Sequence, residues 1–173
     1  MKTLFFTLIA LFTTAQLIAG PDNSQNPYEG SASFERMKTL EGQWKGMMQM
    51  GEQNTEVAVE YRVVAGGSAL EERIFAGTPR EMVTIYHDKQ GKLALTHYCM
   101  LRNQPGMTLE TATDDKLSFV FDELCGIDAK TEMHMHSMTL TFHDDGSITH
   151  DWKLYADGQP QESDPFTLKR IES

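Results

Sequence analysis

The stretch EMHMHSMTLTFHDDGSITHDWKLYA, residues 132–156, decides the fold, because two alternating segments flank one turn. Side chains on a β-strand point alternately to its two faces, so a period of two predicts strands. The intervening DDG, residues 144–146, predicts a tight turn. The sequence therefore predicts a hairpin with one apolar face, on which lie His134, His136, Leu140 and Phe142 from the first strand and Ile148, His150, Trp152 and Leu154 from the second.

A further strand predicted over residues 92–100 adds a third contributor to this apolar face. Its alternation places Leu93, Leu95, His97 and Cys99 together and leaves Tyr98 on the opposite face, as an exposed or interface aromatic. Histidines in an apolar lining need a hydrogen bond, a metal or a ligand. His150 shares the face only if no bulge shifts the register of its strand. His87, beside a turn, is expected to be exposed.

The remaining chain reads as one short helix followed by a meander of about ten strands. Ser31–Leu40 carries apolar residues at helical spacing, with Ser31 or Ser33 as N-cap and Gly42 as the stop. Turn signals then separate the predicted strands at residues 43–50, 55–64, 69–76, 82–87, 92–100, 107–113, 116–121, 132–143, 147–156 and 163–171. A meander with one apolar face per strand buries that face by closing. We therefore predict an all-β, antiparallel, up-and-down closed barrel.

The first twenty residues are predicted to be a signal peptide. Lys2 precedes an apolar run that is short for a membrane span, and small residues follow it. An uncleaved anchor is the alternative. Residues 21–30, rich in Asn, Ser, Gln and Pro, read as a flexible leader, and residues 31–173 as one domain. We expect a secreted or periplasmic protein without stable membrane insertion after cleavage.

The charge balance excludes some partners. The formal net charge is −10, and the acidic residues are scattered along the chain. Such a domain attracts neither nucleic acid nor anionic lipid surfaces. The oligomeric state is left open by the sequence.

The segment Leu40-Glu41-Gly42-Gln43-Trp44-Lys45-Gly46 resembles the opening of calycin-type barrels, where a short helix leads into Gly-x-Trp on the first strand. Lipocalins and fatty-acid-binding proteins share that pattern. In lipocalins an Arg late in the last strand packs over this Trp, and Arg170 occupies the matching place. The resemblance thus implies a structural stack of Trp44 and Arg170, worth roughly 0.5–2 kcal/mol.

More narrowly, the chain resembles exported lipocalin-like domains to which no activity is assigned. The matching motifs are Thr96-His97-Tyr98-Cys99, Asn103-Gln104-Pro105 and His134-Met135-His136. This resemblance implies the fold and little chemistry. Cys99 and Cys125 are expected to be structural, as a disulfide or as two buried thiols, with a functional thiolate as the third alternative.

The predicted lining decides the expected function. Its apolar members include Tyr61, Val83 and Ile85. Its polar members are Glu72, His87, His97, Thr111, His134, His136 and His150. So many ionisable groups are costly in a purely structural core, and a bound molecule relieves the cost. The leading expectation is a small apolar or amphipathic ligand, with His97, His134, His136, His150, Glu72 and Tyr61 near its polar head.

Three alternatives stay open at this point. His97, His134 and His136 are the candidate ligands of a zinc, copper or haem site, because the spacing of two in one strand suits a common ion. By strict alternation Met133 and Met135 face away from these histidines. Glu72 with His97 or His134 would be an acid–base pair in a lyase, isomerase or hydrolase, although no catalytic residue is assigned. The last alternative is a structural envelope domain without ligand.

Overall fold

The computed structural model describes residues 28–50, 52–161 and 165–172. The predicted signal peptide and most of the predicted leader lie outside the described residues. The described elements are a short helix, α1, eleven strands and two short 3₁₀ turns, Ala65–Gly67 and Glu123–Cys125. Their bounds are α1 Ala32–Lys38, β1 Gly42–Met50, β2 Gln53–Val64, β3 Ala69–Ile74, β4 Met82–Lys89, β5 Lys92–Tyr98, β6 Gly106–Ala112, β7 Lys116–Phe121, β8 His134–Phe142, β9 Ile148–Ala156, β10 Gln159–Pro160 and β11 Phe166–Arg170.

The strands form a closed antiparallel barrel of ten strands, with the two-residue β10 added beside β9. Neighbours along the chain pair with one another from β1 to β9, and β11 closes the ring between β9 and β1. The predicted all-β, up-and-down closed barrel is therefore confirmed. Closure removes the exposed strand edges that a ten-strand meander would otherwise present.

One end of the barrel is closed by α1. Ser31 caps the helix by accepting a hydrogen bond from the backbone N–H of Phe34, and Phe34 and Met37 are fully buried. Arg36 lies over the ring of Phe142, 3.9 Å from its centre, and donates to the backbone oxygens of residues 113 and 114. We call the end of the barrel that α1 closes the helix end. The opposite end, where hairpins β1–β2, β3–β4, β5–β6 and β7–β8 turn, is the far end.

The predicted stack of Trp44 and Arg170 completes the helix end. The guanidinium carbon of Arg170 lies 4.5 Å from the centre of the buried Trp44 ring. The same guanidinium donates to the carbonyl oxygens of Glu41 and Thr39, at 2.6 and 2.7 Å. Trp44 in turn donates its indole N–H to the Leu40 carbonyl at 2.8 Å. These contacts join the helix, the first strand and the last strand.

The prediction for the inward face of β4 was wrong. Thr84 and Tyr86 are fully buried, whereas Val83, Ile85 and His87 are only partly buried. The cause is the register: Tyr86 pairs with the inward-facing Leu70, and residues directly opposite one another share a face. His87 accordingly lies on the outer face and is partly buried, not exposed as expected.

Two register shifts break the alternation on other strands. The shift between Leu109 and Thr111 leaves Thr111 exposed, so its predicted place in the lining was wrong. The shift between Met135 and Ser137 makes β8 irregular at His136. Met135, predicted to face away from the lining, packs against the core for the same reason.

Candidate functional site

A fully buried carboxylate organises the barrel interior. Glu72 on β3 accepts hydrogen bonds from the hydroxyls of Tyr61 on β2 and Tyr86 on β4, at 2.8 and 2.9 Å. Tyr61 lies directly opposite Glu72 in the sheet register, which explains why their side chains meet. Burial, reinforced by the charge of Glu72, raises the pKa of both tyrosines well above the usual value. Both hydroxyls therefore stay protonated and act as donors.

His150 reaches the same cluster from β9. Its Nε2 lies 2.9 Å from the Tyr61 hydroxyl, and its Nδ1 lies 3.5 Å from Glu72 Oε1. Because the Tyr61 hydroxyl donates to Glu72, its oxygen accepts a hydrogen bond from the Nε2–H of His150. Among the described residues, His150 Nδ1 has no hydrogen-bond partner. Burial lowers the pKa of His150, and Glu72 opposes that effect only in part.

His97 lies beside this cluster, and its side chain is 1 % exposed. Its Nδ1 is 2.9 Å from the Thr84 hydroxyl, and its ring lies 4.5 Å from the ring of Trp152, centre to centre. Burial lowers the pKa of His97 to about 4, against the attraction of Glu72 and with a small contribution from His150. The imidazole is therefore neutral at pH 7.

We expect the free energy of unfolding to fall when the pH drops from about 6.5 towards the His97 pKa of about 4. In that window the unfolded chain binds a proton at His97 and the native state does not, so stability rises with pH. One such group gives a slope of up to about 1.4 kcal/mol per pH unit. His150 acts in the same direction, because its pKa is also lowered.

Urea denaturation between pH 7 and pH 5 measures this slope while the carboxylates remain largely ionised. The His97→Asn variant, which keeps a side-chain nitrogen or oxygen near Thr84, should show a shallower slope than the wild type. The control is His143→Asn, because His143 is exposed at the helix end. If His97→Asn keeps the wild-type slope, the pH dependence of the free energy of unfolding does not come from His97.

A second cluster lies at the far end, where β7, β8 and β9 meet their loops. His134 Nε2 is 2.9 Å from His136 Nδ1, and His134 Nδ1 is 2.7 Å from the carbonyl oxygen of Glu132. The ring of His136 is stacked on Tyr155 at 3.8 Å and on Phe121 at 5.2 Å, centre to centre. His134 is fully buried and His136 half-buried. Burial and the neighbouring His134 lower the pKa of His136, and Glu123 opposes them.

The structure thus divides the predicted site residues between two places. Tyr61, Glu72 and His150 share the interior cluster, with His97 beside them, whereas His134 and His136 pair at the far end. Within the described ranges, no three His, Cys, Asp or Glu side chains are arranged to hold a metal. A zinc, copper or haem site at His97, His134 and His136 stays a prediction.

The cysteines are not joined. Cys99 and Cys125 are both free and partly buried, so the disulfide alternative is not formed in this structure. The Cys99 thiol donates to Asn103 Oδ1 at 3.7 Å, and burial raises its pKa. A raised pKa disfavours the reactive thiolate form. Tyr98, 47 % exposed, lies outside the lining as predicted.

The sequence did not single out three further residues of these clusters. These are Thr84 and Tyr86 on β4 and Tyr155 on β9, which were not among the predicted lining residues. The cross-strand register with β3 would have identified Thr84 and Tyr86, but a single sequence does not reveal that register. Tyr155 lies opposite His134 in the register, and only that pairing brings it to the histidines.

No family model matches the chain, and no curated protein matches it either. The calycin-like assignment therefore stays a prediction from the residues quoted above. The helical segments within the described residues are too short or too polar to cross a bilayer.

Proposed function

We propose that this protein is an exported barrel that binds one small, largely apolar molecule at the far end, with its polar head near the histidine pair. The observation that carries the proposal is the environment of His136. The imidazole of His136 is stacked on the rings of both Phe121 and Tyr155 and is half-buried, at the end opposite to α1. Ligand sites typically combine such apolar walls with a few placed polar groups.

The two ends of the barrel differ in a way that favours the far end. At the helix end, Phe34, Met37 and Trp44 fill the opening, and Arg170 covers Trp44. The interior cluster around Glu72 is already bonded to two tyrosines. A ligand head therefore meets a partly exposed polar side chain at His136, whereas Glu72 is buried and already hydrogen-bonded.

Exposed apolar side chains on the far-end loops support the same direction of approach. Leu124 is 90 % exposed, and Met100, Leu101 and Met133 are also exposed. They belong to the β5–β6 and β7–β8 loops, which Asn103 joins by donating to the Met133 carbonyl at 2.8 Å. Exposed apolar patches commonly mark binding surfaces. The apolar amino-terminal run supports export.

Titration with the fluorescent amphiphile N-phenyl-1-naphthylamine tests the proposal. We expect saturable binding of one dye per chain, weakened about tenfold or more in Tyr155→Ala, a loss of about 1.4 kcal/mol. The matched control is Tyr98→Ala, which removes an exposed tyrosine from the outer face. Far-ultraviolet circular dichroism establishes that both variants are folded. Absence of saturable binding, or equal effects of the two substitutions, would contradict the proposal.

A further inference from the structure

We infer that the far end of the barrel docks reversibly on a neutral, zwitterionic lipid surface through four apolar side chains of two loops. They are Met100, Leu101, Leu124 and Met133, which we call the apolar rim, and they are 58 %, 36 %, 90 % and 47 % exposed. The inference goes beyond the proposed function, because it assigns a partner to the outer surface of this end and does not need the His136 site to be occupied.

Contacts between the two loops bring the apolar rim to one surface. Asn103 of the β5–β6 loop donates to the backbone oxygen of Met133 in the β7–β8 loop, at 2.8 Å. Gln104, the next residue, lines one groove together with Leu124. The turn that carries Leu124 is held by a hydrogen bond from its backbone N–H to Asp122, at 3.0 Å. The two loops therefore form one surface, and adjoining exposed apolar side chains mark contact surfaces.

The size of the apolar rim favours a lipid surface over a protein partner. Each side of a stable protein–protein interface contributes about 20–30 residues, and the rim has four apolar side chains. The same loops otherwise expose charged residues, among them Arg102, Glu123 and Lys130. An interfacial membrane segment, by contrast, buries its apolar side chains only about 5–10 Å deep at the headgroup boundary.

The loop backbone restricts the docking to this shallow depth. Irregular backbone does not enter the hydrocarbon core, because its polar groups would lose their hydrogen bonds with water. Only the side chains of the rim then reach the acyl boundary, while the charged neighbours stay among the headgroups. Such a contact is reversible and agrees with a protein that is not stably inserted in a membrane.

The charge of the two loops selects the kind of lipid. Residues 99–105 and 122–133 contain four acidic residues and two basic ones, namely Asp122, Glu123, Asp128, Glu132, Arg102 and Lys130. The whole chain also carries a formal net charge of −10. An anionic leaflet repels such a surface, most strongly at low ionic strength. Neutral headgroups impose no such penalty, so we expect phosphatidylcholine to be preferred.

Docking through the apolar rim orients the barrel. It turns the end that carries the half-buried His136 towards the lipid, whereas the helix end, where Arg170 covers Trp44, faces away. A poorly soluble molecule then passes between the bilayer and the barrel without crossing bulk water. This consequence rests on the proposed function, whereas the docking itself does not.

Flotation with phosphatidylcholine vesicles tests the inference. The full chain is used as it is recovered from the exporting host, and all variants are prepared in the same way. We expect the double variant Met100→Asp/Leu124→Asp to lose at least about tenfold in the partition coefficient of the wild type. The control Ile171→Asp places the same charge at an apolar position that is 42 % exposed at the helix end, and it should stay within about twofold. Circular dichroism establishes that the variants are folded.

A measurement on the wild-type protein locates the contact. With a spin-labelled lipid in phosphatidylcholine nanodiscs, the methyl signals of Met100 and Met133 should lose more intensity than those of Ile171. Failure of the wild type to bind overturns the inference, as do equal losses in the double variant and in Ile171→Asp. Tighter binding to vesicles that contain one third phosphatidylglycerol also overturns it. So does a dimer, formed without lipid, that the double variant dissociates.

The dye titration in the absence of vesicles separates this inference from the proposed function. Flotation without saturable dye binding contradicts only the proposed function. Saturable dye binding without flotation contradicts only the docking of the apolar rim on lipid.

Discussion

The Glu72→Ala variant is expected to lose about 3–5 kcal/mol of its free energy of unfolding. The substitution removes the acceptor of two fully buried hydroxyls, on Tyr61 and Tyr86, and the charged neighbour of His150. A buried donor left unsatisfied costs about 1–3 kcal/mol, and breaking a buried charged network costs about 3–5 kcal/mol. Urea denaturation monitored by tryptophan fluorescence measures the difference.

The neighbouring position provides the matched control. Glu71 faces outward and pairs with the exposed Arg62 at 2.6 Å, so Glu71→Ala should cost no more than about 1 kcal/mol. A second comparison separates the cost of an unsatisfied buried hydroxyl from the cost of the side-chain volume lost at position 72. Adding Tyr86→Phe to Glu72→Leu removes a buried hydroxyl that has lost its acceptor, and should recover about 1–3 kcal/mol. Equal losses at positions 71 and 72 would show that the interior cluster does not stabilise the barrel.

The second large effect is expected at the seam where the last strand closes the barrel. Gly46 on β1 pairs with Leu168 of β11 and Val57 of β2. A Cβ atom at Gly46 would overlap the carbonyl oxygen of Thr167 and lie 3.0 Å from its carbonyl carbon. The obstacle is backbone, so no rotamer change relieves it. We expect Gly46→Ala to cost about 3 kcal/mol, in the range of overpacked interiors.

Gly106→Ala is the control for a glycine in the barrel wall. There the added Cβ would meet the side-chain Cβ of Cys125 at 3.2 Å, and the half-exposed loop that carries Cys125 can move. Its cost should stay below about 1 kcal/mol. Thermal unfolding, followed by circular dichroism, compares the two variants. A Gly46→Ala protein as stable as Gly106→Ala would contradict the view that β11 approaches β1 too closely for any side chain there.

Most of the barrel could be predicted because its strands obey a local rule. Val57, Val59 and Tyr61 on β2 and Leu70, Glu72 and Ile74 on β3 alternate without interruption, and all six are buried as predicted. Alternation failed to predict the buried residues where the register shifts, or where the residues on both faces of a strand are suitable for the interior. On β4, Val83 and Ile85 looked as suitable for the interior as Thr84 and Tyr86, and pairing with β3 decided between them.

For the candidate site, the residue types were foreseeable and their grouping was not. The sequence identified Glu72, Tyr61, His97, His134, His136 and His150 as inward-facing polar groups, but it joined His97 with His134 and His136 as one ligand set. In the structure Thr84 and Trp152 contact His97, while Tyr155 and Phe121 contact His136. Those partners come from strands distant in sequence, so local alternation carries no information about them.

The sequence by itself determined the fold class and the helix that precedes the barrel, because periodicity and turn residues act over a few positions. The Trp44–Arg170 contact, between residues far apart in sequence, was implied by the resemblance to calycin-type barrels. Only the tertiary structure decided which side chains share a hydrogen bond. The distance between Glu72 and His150, or between the Glu132 carbonyl and the two histidines beyond it, depends on cross-strand register and on the bulge at His136. A one-residue shift in register exchanges the faces of a strand, so chemistry at this barrel's interior is set by its pairing.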